Sequence, residues 1–206
     1  MAINLTKGQR IDLTKKSASG AESKLDKFCV GVNWGMIMKS GLFGKRKVAV
    51  DLDASCAMFT ANNELVDVVF FGQLRSKDGS IYHSGDDLTG DADGDDGLDN
   101  EIISVDLNHV HNTVDKIVFF LNSYKKQDFA TVPFASIRLY EGTPTHVKDV
   151  FATYDIATDP SFKGYISMVM GKLYRKNGEW KFNAIGEPSR DADIKQTLMT
   201  IIQRYL

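Results

Sequence analysis

Apolar and polar residues alternate along most of the chain, which is the period of β-strands with one buried face. Residues 28–34 alternate throughout, and residues 47–59 do so with Leu52 on one side and Asp51 and Asp53 on the other. Further apolar runs, each bounded by Gly, Asn, Asp or Pro, occupy residues 65–71, 102–107, 114–121, 134–140, 150–156, 165–174 and 180–185. Many short strands joined by polar turns indicate a β-sandwich or a β-barrel.

The last part of the chain carries two further signals. Asn177-Gly178 joins two of the apolar runs, and this pair favours a two-residue hairpin turn because both residues accept a positive φ. Apolar residues then recur at helical spacing on one face: Ile194, Leu198, Ile201, Ile202 and Tyr205. The spacing predicts an amphipathic helix over about residues 191–206 whose apolar stripe packs on the sheets. No linker or repeat divides the sequence, so we expect a single domain over residues 1–206.

Composition and charge limit the partners of the chain. It has 206 residues, of which 43% are hydrophobic and 25% charged, as in an ordinary globular protein. The net charge of −2 provides no general field for attracting nucleic acid, so we expect no nucleic-acid partner. No apolar run approaches the roughly 20 residues of a membrane span, and the N-terminus lacks the apolar segment of a signal peptide. We therefore expect a cytoplasmic protein without a membrane span, in which Cys29 and Cys56 are buried thiols.

One segment is strongly acidic. The sixteen residues from Asp86 to Glu101, called the acidic loop below, hold eight carboxylates and no Lys or Arg. In a compact loop these charges repel one another, which leaves two solutions: a solvated loop, or a bound hard cation. Oxygen donors with glycines between them favour Ca²⁺, which accepts six to eight oxygens in flexible geometry, over Mg²⁺ with its strict octahedron. No Cys or His pair interrupts the loop, which argues against softer metals.

The acidic loop does not have the pattern of an EF-hand. With Asp91 at position 1, acids occupy positions 1, 3 and 5, but position 6 is Asp96 instead of Gly and position 12 is Ile102 instead of Glu. A second acidic signal lies upstream, where Asp51 and Asp53 are two residues apart on a predicted strand and so share one face, about 6.5 Å apart. Two solvent-facing acids on an outer strand are one interpretation, and a cation shared with the acidic loop is the other.

Several motifs in order along the chain resemble the TerD-domain family of bacterial tellurite-resistance and stress proteins. The resemblance covers most of the chain, up to about residue 188. It is carried by Asp51-Leu-Asp-Ala-Ser55, His83-Ser-Gly-Asp-Asp-Leu-Thr-Gly90, Asp93-Gly-Asp-Asp96, Val114-Asp-Lys-Ile-Val-Phe119, Ser136-Ile-Arg-Leu139 and Gly171-Lys-Leu-Tyr-Arg175. It implies a β-sandwich of two mainly antiparallel sheets that binds two calcium ions through the acidic segments.

The resemblance also implies which residues hold the calcium ions. Carried over position by position, the metal ligands are Asp51, Asp53, Asp86, Asp87, Asp91, Asp93, Asp95 and Asp96, with Glu101 as an additional ligand. This sequence departs from the family in two places. The family usually has Asn where this chain has Asp87, and the segment Gly97-Leu-Asp-Asn100 separates the acidic run from Glu101, which leaves Asp99 as an alternative to Glu101.

The function implied by the resemblance is that of a calcium-binding, non-enzymatic stress-response protein of the tellurite-resistance type. The resemblance also implies that the partners of this chain are other Ter-type proteins, in assemblies of which some lie at the inner face of the membrane. The residues themselves leave two alternatives open: a metal-dependent hydrolase or phosphotransferase that uses the acidic cluster, and a calcium-independent structural interaction module. The hydrolase alternative lacks a Lys or Arg near the cluster in sequence, where His83 alone is close.

Overall fold

The computed structural model describes residues 3–4, 9–16, 22–41, 44–157 and 159–206. Strands dominate it, and the α-helix α1 spans Ile194–Arg204. The strands are β1 Ile3–Asn4, β2 Arg10–Asp12, β3 Thr14–Lys16, β4 Glu22–Lys24, β5 Lys27–Trp34, β6 Ile37–Gly41, β7 Gly44–Val48, β8 Leu52–Phe59, β9 Leu65–Val69, β10 Ile81–His83, β11 Glu101–Asp106, β12 Lys116–Ser123, β13 Ala135–Thr143, β14 His146–Asp155, β15 Ser167–Lys176 and β16 Glu179–Ser189. Short 3₁₀ helices lie at Phe129–Thr131 and Pro160–Phe162.

The main strands form two six-stranded sheets. The first has the order β1-β14-β13-β5-β11-β10 and the second β2-β16-β15-β12-β8-β9. Neighbouring strands are antiparallel except for β1 and β14, which pair in parallel. Val30 and Val32 of the first sheet pack in one buried cluster with Phe119 and Leu121 of the second. The apolar faces therefore meet, and the predicted all-β sandwich of mainly antiparallel sheets is confirmed.

The predicted strand over residues 47–59 is interrupted. Strand β7 ends at Val48 and β8 begins at Leu52, so residues 49–51 belong to neither strand. Val50 is fully buried, and its N–H donates to the carbonyl of Thr89 at 3.0 Å. The backbone at Val50 is thus hydrogen-bonded to the acidic loop instead of a neighbouring strand. The alternation of apolar and polar residues cannot predict this contact, because it involves a segment distant in sequence.

The C-terminal helix packs on the outer face of the second sheet, as its stripe predicts. Asp193 caps it by accepting a hydrogen bond from the N–H of Gln196, so the helix begins three residues later than expected. Ile201 is buried in one cluster with Phe59 and Phe120 of that sheet. Ile202 was expected on the same stripe but is 44% exposed.

Two further hairpins lie outside the main sheets: β3 with β4, and β6 with β7. The Asn177-Gly178 turn has the expected positive φ values of 54° and 78°. Cys29 and Cys56 are both buried and free, as predicted. Among the described residues, none of the helices has the length and apolar character needed to cross a membrane.

Candidate metal centre

Backbone hydrogen bonds attach the acidic loop to one rim of the sandwich. Asp91 N–H donates to the carbonyl of Trp34, and Met36 N–H donates to the carbonyl of Asp91, both at 2.9 Å. At the far end of the loop, Asn100 N–H donates to the carbonyl of Val32 at 2.9 Å. The loop is therefore fixed at both ends to the last residues of β5, next to the start of β8.

Gly90 allows the loop to approach β5 closely. Its φ is +74°, in the left-handed region that favours glycine, and a Cβ there would lie 2.4 Å from Cδ1 of Trp34. Trp34 is fully buried and donates its indole N–H to the carbonyl of Val50 at 3.0 Å. The indole thus supports both Gly90 and the segment that leads into β8.

The first acidic group joins the start of β8 to the acidic loop. Asp51, Asp53 and Asp86 each offer a carboxylate oxygen within 4.8 Å of the others. Asp51 and Asp53 are each 3% exposed, whereas Asp86 is exposed. Lys125 Nζ lies 3.4 Å from Asp51 Oδ2 and donates to the carbonyl of Leu88 at 2.8 Å. The structure therefore brings the Asp51 and Asp53 pair and the acidic loop together.

Burial makes Asp51 and Asp53 costly to ionise. Burial and the nearby negative charges of Glu101, Asp51 and Asp86 raise the pKa of Asp53 to about 8. Burial also raises the pKa of Asp51, although Lys125 opposes the shift. Carboxylates with raised pKa values gain stability from a positive ion placed between them, so this group suits a cation.

The second acidic group lies within the loop. Asp91, Asp95 and Asp96 have carboxylate oxygens within 4.8 Å of one another, and Asp95 and Asp96 are exposed. Asn33 of β5 donates from its side chain to Asp95 Oδ1 at 2.8 Å. The other amide atom of Asn33, Oδ1, is buried without a hydrogen-bond partner in the described structure. Both groups present oxygen donors alone, which fits a hard cation such as Ca²⁺ or Mg²⁺.

Asp87 lies outside both groups and shapes the loop. Its Oδ1 accepts hydrogen bonds from the N–H groups of Thr89 and Gly90, and its Oδ2 accepts one from the side chain of Asn100 at 3.0 Å. Burial opposes ionisation, but these hydrogen bonds outweigh it and lower the pKa of Asp87. A ligand role for Asp87 stays a prediction.

Asp93 and Asp99 also lie outside the two groups, each paired with a base. Asp93 is exposed and accepts a hydrogen bond from Lys47 Nζ at 2.5 Å, and Lys47 lowers its pKa. Asp99 forms an ion pair of 2.7 Å with Arg138 Nε and packs over Gly31, where a Cβ would lie 2.0 Å from Asp99 Oδ2. Asp99 thus couples the loop to β5 and β13, and the ligand role of Asp93 stays a prediction.

Glu101 is fully buried and completes the open edge of β8. Its Oε2 accepts the N–H of Ala54 at 2.7 Å, on the edge of β8 opposite β12, where the described pairing with β9 ends at Cys56. His83 Nε2 lies 3.0 Å from the carbonyl of Ala54 and 3.3 Å from Glu101 Oε2. Gly85 N–H donates to Nδ1 of His83, so the ring proton is on Nε2. Glu101 therefore bonds backbone and His83, and neither acidic group includes it.

Sequence reasoning missed the residue that joins the loop's parts. Asn100 accepts the N–H of Trp34 at 2.7 Å and donates at 3.0 Å to both Asp87 Oδ2 and Asp91 Oδ1. It also missed Lys125, which is remote from the acids in sequence but close in space. The only available signal for Asn100 was an amide at the end of a carboxylate run, because its contacts depend on the tertiary fold.

Comparison with known proteins identifies relatives over the whole length of the chain. The family model "TerD domain" matches residues 1–205. The stress response protein SCP2 of Bacillus subtilis (strain 168) is 36% identical over 218 residues, covering 100% of both chains. The tellurium resistance proteins TerZ and TerD of Serratia marcescens are 33% and 35% identical and cover 99% and 91% of this chain and of their own lengths.

Solved structures match the fold. The crystal structure of a homologue of the telluride resistance protein TerD from Streptomyces coelicolor A3(2) superposes with a TM-score of 0.63 at 19% identity, covering 84% of this chain and 95% of that one. A crystal structure of a protein of unknown function gives a TM-score of 0.64 at 24% identity, covering 83% and 96%. These likenesses support the sandwich architecture.

Proposed function

The chain belongs to the TerD domain family, and from this premise we propose that it is a calcium-binding stress-response protein without catalytic activity. The proposal assigns one ion to Asp51, Asp53 and Asp86 and a second to Asp91, Asp95 and Asp96. Asp87, Asp93 and Glu101 remain candidate ligands that would need to turn toward the ions.

One observation carries the proposal: two carboxylates that are each 3% exposed lie within 4.8 Å of a third. Removing like charges from water is unfavourable unless a positive ion or a proton compensates. Lys125 reaches one oxygen of Asp51 and leaves Asp53 without a cationic partner among the described residues. A divalent cation at this point would satisfy both aspartates.

Calcium is the ion that fits this geometry best. The candidate donors are carboxylate oxygens on a loop rich in glycine, and Asp86, Asp95 and Asp96 are open to water. Ca²⁺ completes its six to eight ligands with water and backbone carbonyls, whereas Mg²⁺ requires a near-ideal octahedron. We therefore expect Ca²⁺ to bind more tightly than Mg²⁺.

Isothermal titration of the chelator-treated chain with CaCl₂ tests the assignment. We expect two ions per chain in the parent and about one in each of Asp53→Asn and Asp95→Asn. Glu64→Gln is the matched control, because Glu64 is an exposed acid outside both groups. Absence of calcium heat in the parent would reject the metal centre. Parent-like stoichiometry in both Asn variants would reject the ligand assignment.

We extend the proposal to biology from the names of the relatives, which are tellurium resistance and stress response proteins. The chain would act through other Ter-type proteins as partners. Expression in a strain that lacks its own homologue should restore growth on tellurite or under chemical stress, and Asp53→Asn should fail to do so at equal protein level. If Asp53→Asn restores growth as well as the parent does, the stress-response role does not depend on the metal centre.

One observation favours a second candidate function, a metal-dependent phosphoester hydrolase. In the sequence, the lack of a nearby Lys or Arg argued against hydrolysis. The structure places Lys125 3.4 Å from Asp51, where its positive charge could stabilise a phosphoester during hydrolysis. A phosphoesterase screen with Mg²⁺ and Mn²⁺ tests it. Turnover that Lys125→Met and Asp53→Asn both abolish would establish the hydrolase, and no turnover above the buffer rate would exclude it.

A further inference from the structure

The hairpin of β6 and β7, called the basic arm below, contributes no candidate ligand to the proposed metal centre. Every residue of 38–41 and 44–47 is exposed. Its two strands pair with each other and form a separate two-stranded sheet. Residues 37–48 contain no acid and four cationic residues: Lys39, Lys45, Arg46 and Lys47. An exposed ribbon with one sign of charge is a surface for an anionic partner.

The register of the hairpin sorts these cations onto two faces. Met38 pairs with Lys47, and Lys39 pairs with Arg46 in the next position. Because cross-strand partners share a face and successive residues alternate, Lys47 lies on one face and Lys39 and Arg46 lie on the other. Lys47 contacts Asp93, so its face is turned toward the acidic loop of the same chain. The face with Lys39 and Arg46 is turned away from that loop.

Lys39 and Arg46 form an unfavourable pair by themselves. Like charges directly opposite each other across two strands destabilise a hairpin. In the part of the chain that the structure describes, neither side chain has an acidic partner, and both are exposed. An anionic surface from another molecule would remove this repulsion.

The acidic loop of a second copy has the required chemistry. Residues 92–98 are exposed, and no Lys or Arg occurs between Asp86 and Glu101. Asp95 and Asp96 lie on this exposed stretch and have no ion-pair partner among the described residues. Arm and loop belong to the same chain, so a two-fold axis would form the contact twice and close a dimer.

We propose that the face of the basic arm carrying Lys39 and Arg46 docks on the acidic loop of a second copy of this chain. The contact is electrostatic, so it strengthens at low ionic strength and weakens as salt screens it. It does not rest on the calcium proposal, because two cation-free chains satisfy the charge requirement. Failure of one proposal therefore leaves the other standing.

Sedimentation velocity of the full chain in chelator at low salt tests the dimer. We expect self-association in the parent, and an association constant at least about tenfold lower in Lys39→Glu/Arg46→Glu, because juxtaposed like charges oppose docking. Lys163→Glu/Lys195→Glu is the matched control, since it changes the net charge equally at two exposed positions outside the arm. The control should associate like the parent.

A charge-exchange experiment identifies the partner surface. Asp95→Lys/Asp96→Lys should also fail to self-associate, but an equimolar mixture with Lys39→Glu/Arg46→Glu should regain association, because the mixed dimer has one native contact and one contact with both charges reversed. A monomeric parent, an arm variant that associates like the parent, or a mixture that stays monomeric would overturn the proposal. If the parent is monomeric, flotation with phosphatidylserine vesicles in the same buffer tests a second partner. Binding by the parent and not by Lys39→Glu/Arg46→Glu would show that this face binds anionic lipid instead of a second copy.

Discussion

At the scale of single residues, Asp53 carries the largest electrostatic cost of the candidate metal centre. Its pKa is raised from 3.8 to about 8, first by burial and then by Glu101, Asp51 and Asp86. The folded chain therefore holds this proton more tightly than the unfolded chain does. The resulting stabilisation is complete below about pH 4 and is lost as the pH rises through about 8.

This sign leads to a prediction for Asp53→Asn. In chelator at pH 8.5 the substitution removes a buried negative charge, so it should raise the Tm; relief of about 1 kcal/mol corresponds to about 2–4 °C in a chain of this size. In saturating calcium the same variant should melt below the parent, because it has lost an ion that stabilises only the folded form. Calorimetric melts in both buffers, with Glu64→Gln as the neutral control, check the reversal. A variant that melts below the parent in chelator as well would contradict it.

Single-residue chemistry was predictable from sequence where spacing alone determines it. Asp53 lies in β8 and Asp51 one residue before it, and the structure brings both carboxylates to Asp86, as their spacing of two residues allows. Lys125 was not predictable, since it reaches Asp51 only after β12 pairs with β8. A counter-charge supplied by a distant segment has no local signal in the chain.

At the scale of elements, hydrogen bonds made by the neutral side chain of Asn100 hold the acidic loop in shape. Asn100 connects Trp34 of β5 to Asp87 and Asp91 with three hydrogen bonds. Residues that orient metal ligands in this way usually contribute about 10–100-fold to affinity. Asn100 is thus a positioning residue for the metal centre.

We predict that Asn100→Ala weakens calcium binding by about 10–100-fold while leaving all candidate ligands in place. Asn112→Ala is the control, because Asn112 is an exposed asparagine whose side chain has no hydrogen bond among the described residues. Calcium titrations of both variants measure the effect. An Asn100→Ala affinity equal to that of the control would mean that the loop holds its shape without this amide.

Gly90 supports a second prediction about the same element. Gly90→Ala adds a Cβ at 2.4 Å from Trp34, whereas Gly97→Ala has a similar positive φ, 81° against 74°, and nothing within 4 Å. Both variants carry backbone strain, so the difference between them isolates the contact with Trp34. We expect Gly90→Ala to lower the Tm and the calcium affinity more than Gly97→Ala, as thermal melts and titration would report. If both variants lose Tm and calcium affinity equally, backbone strain alone explains the effect and the contact with Trp34 contributes nothing measurable.

The elements that bury a face were predictable, and those that do not were missed. Runs such as 114–121 and 165–174 correspond to β12 and β15 because alternation follows burial on the core side. Strands β6 and β7 bury almost nothing, so their sequence carries no apolar period. The two strands of the basic arm could therefore not be predicted from the sequence, and their pairing is known only from the structure.

At the scale of the whole molecule, the order of strands in each sheet brings the acidic segments together. β11, which follows the acidic loop, pairs with β5, and β8, which follows Asp51, lies in the opposite sheet. The metal centre thus lies on the rim between the two sheets. Strand order depends on pairings between distant segments, which periodicity does not encode, so the sequence predicted a sandwich without its topology.

The same loop is the proposed cation site and the proposed docking surface, so the two events must compete. Calcium reduces the negative charge that the basic arm of a second copy recognises, and by linkage a dimer should bind calcium more weakly than a monomer. We predict that calcium shifts the low-salt dimer toward monomer in sedimentation velocity, whereas KCl of equal ionic strength has a smaller effect. This prediction rests on both proposals. A dimer that persists while titration in the same buffer shows two bound ions would mean that arm and cations use different carboxylates of the loop.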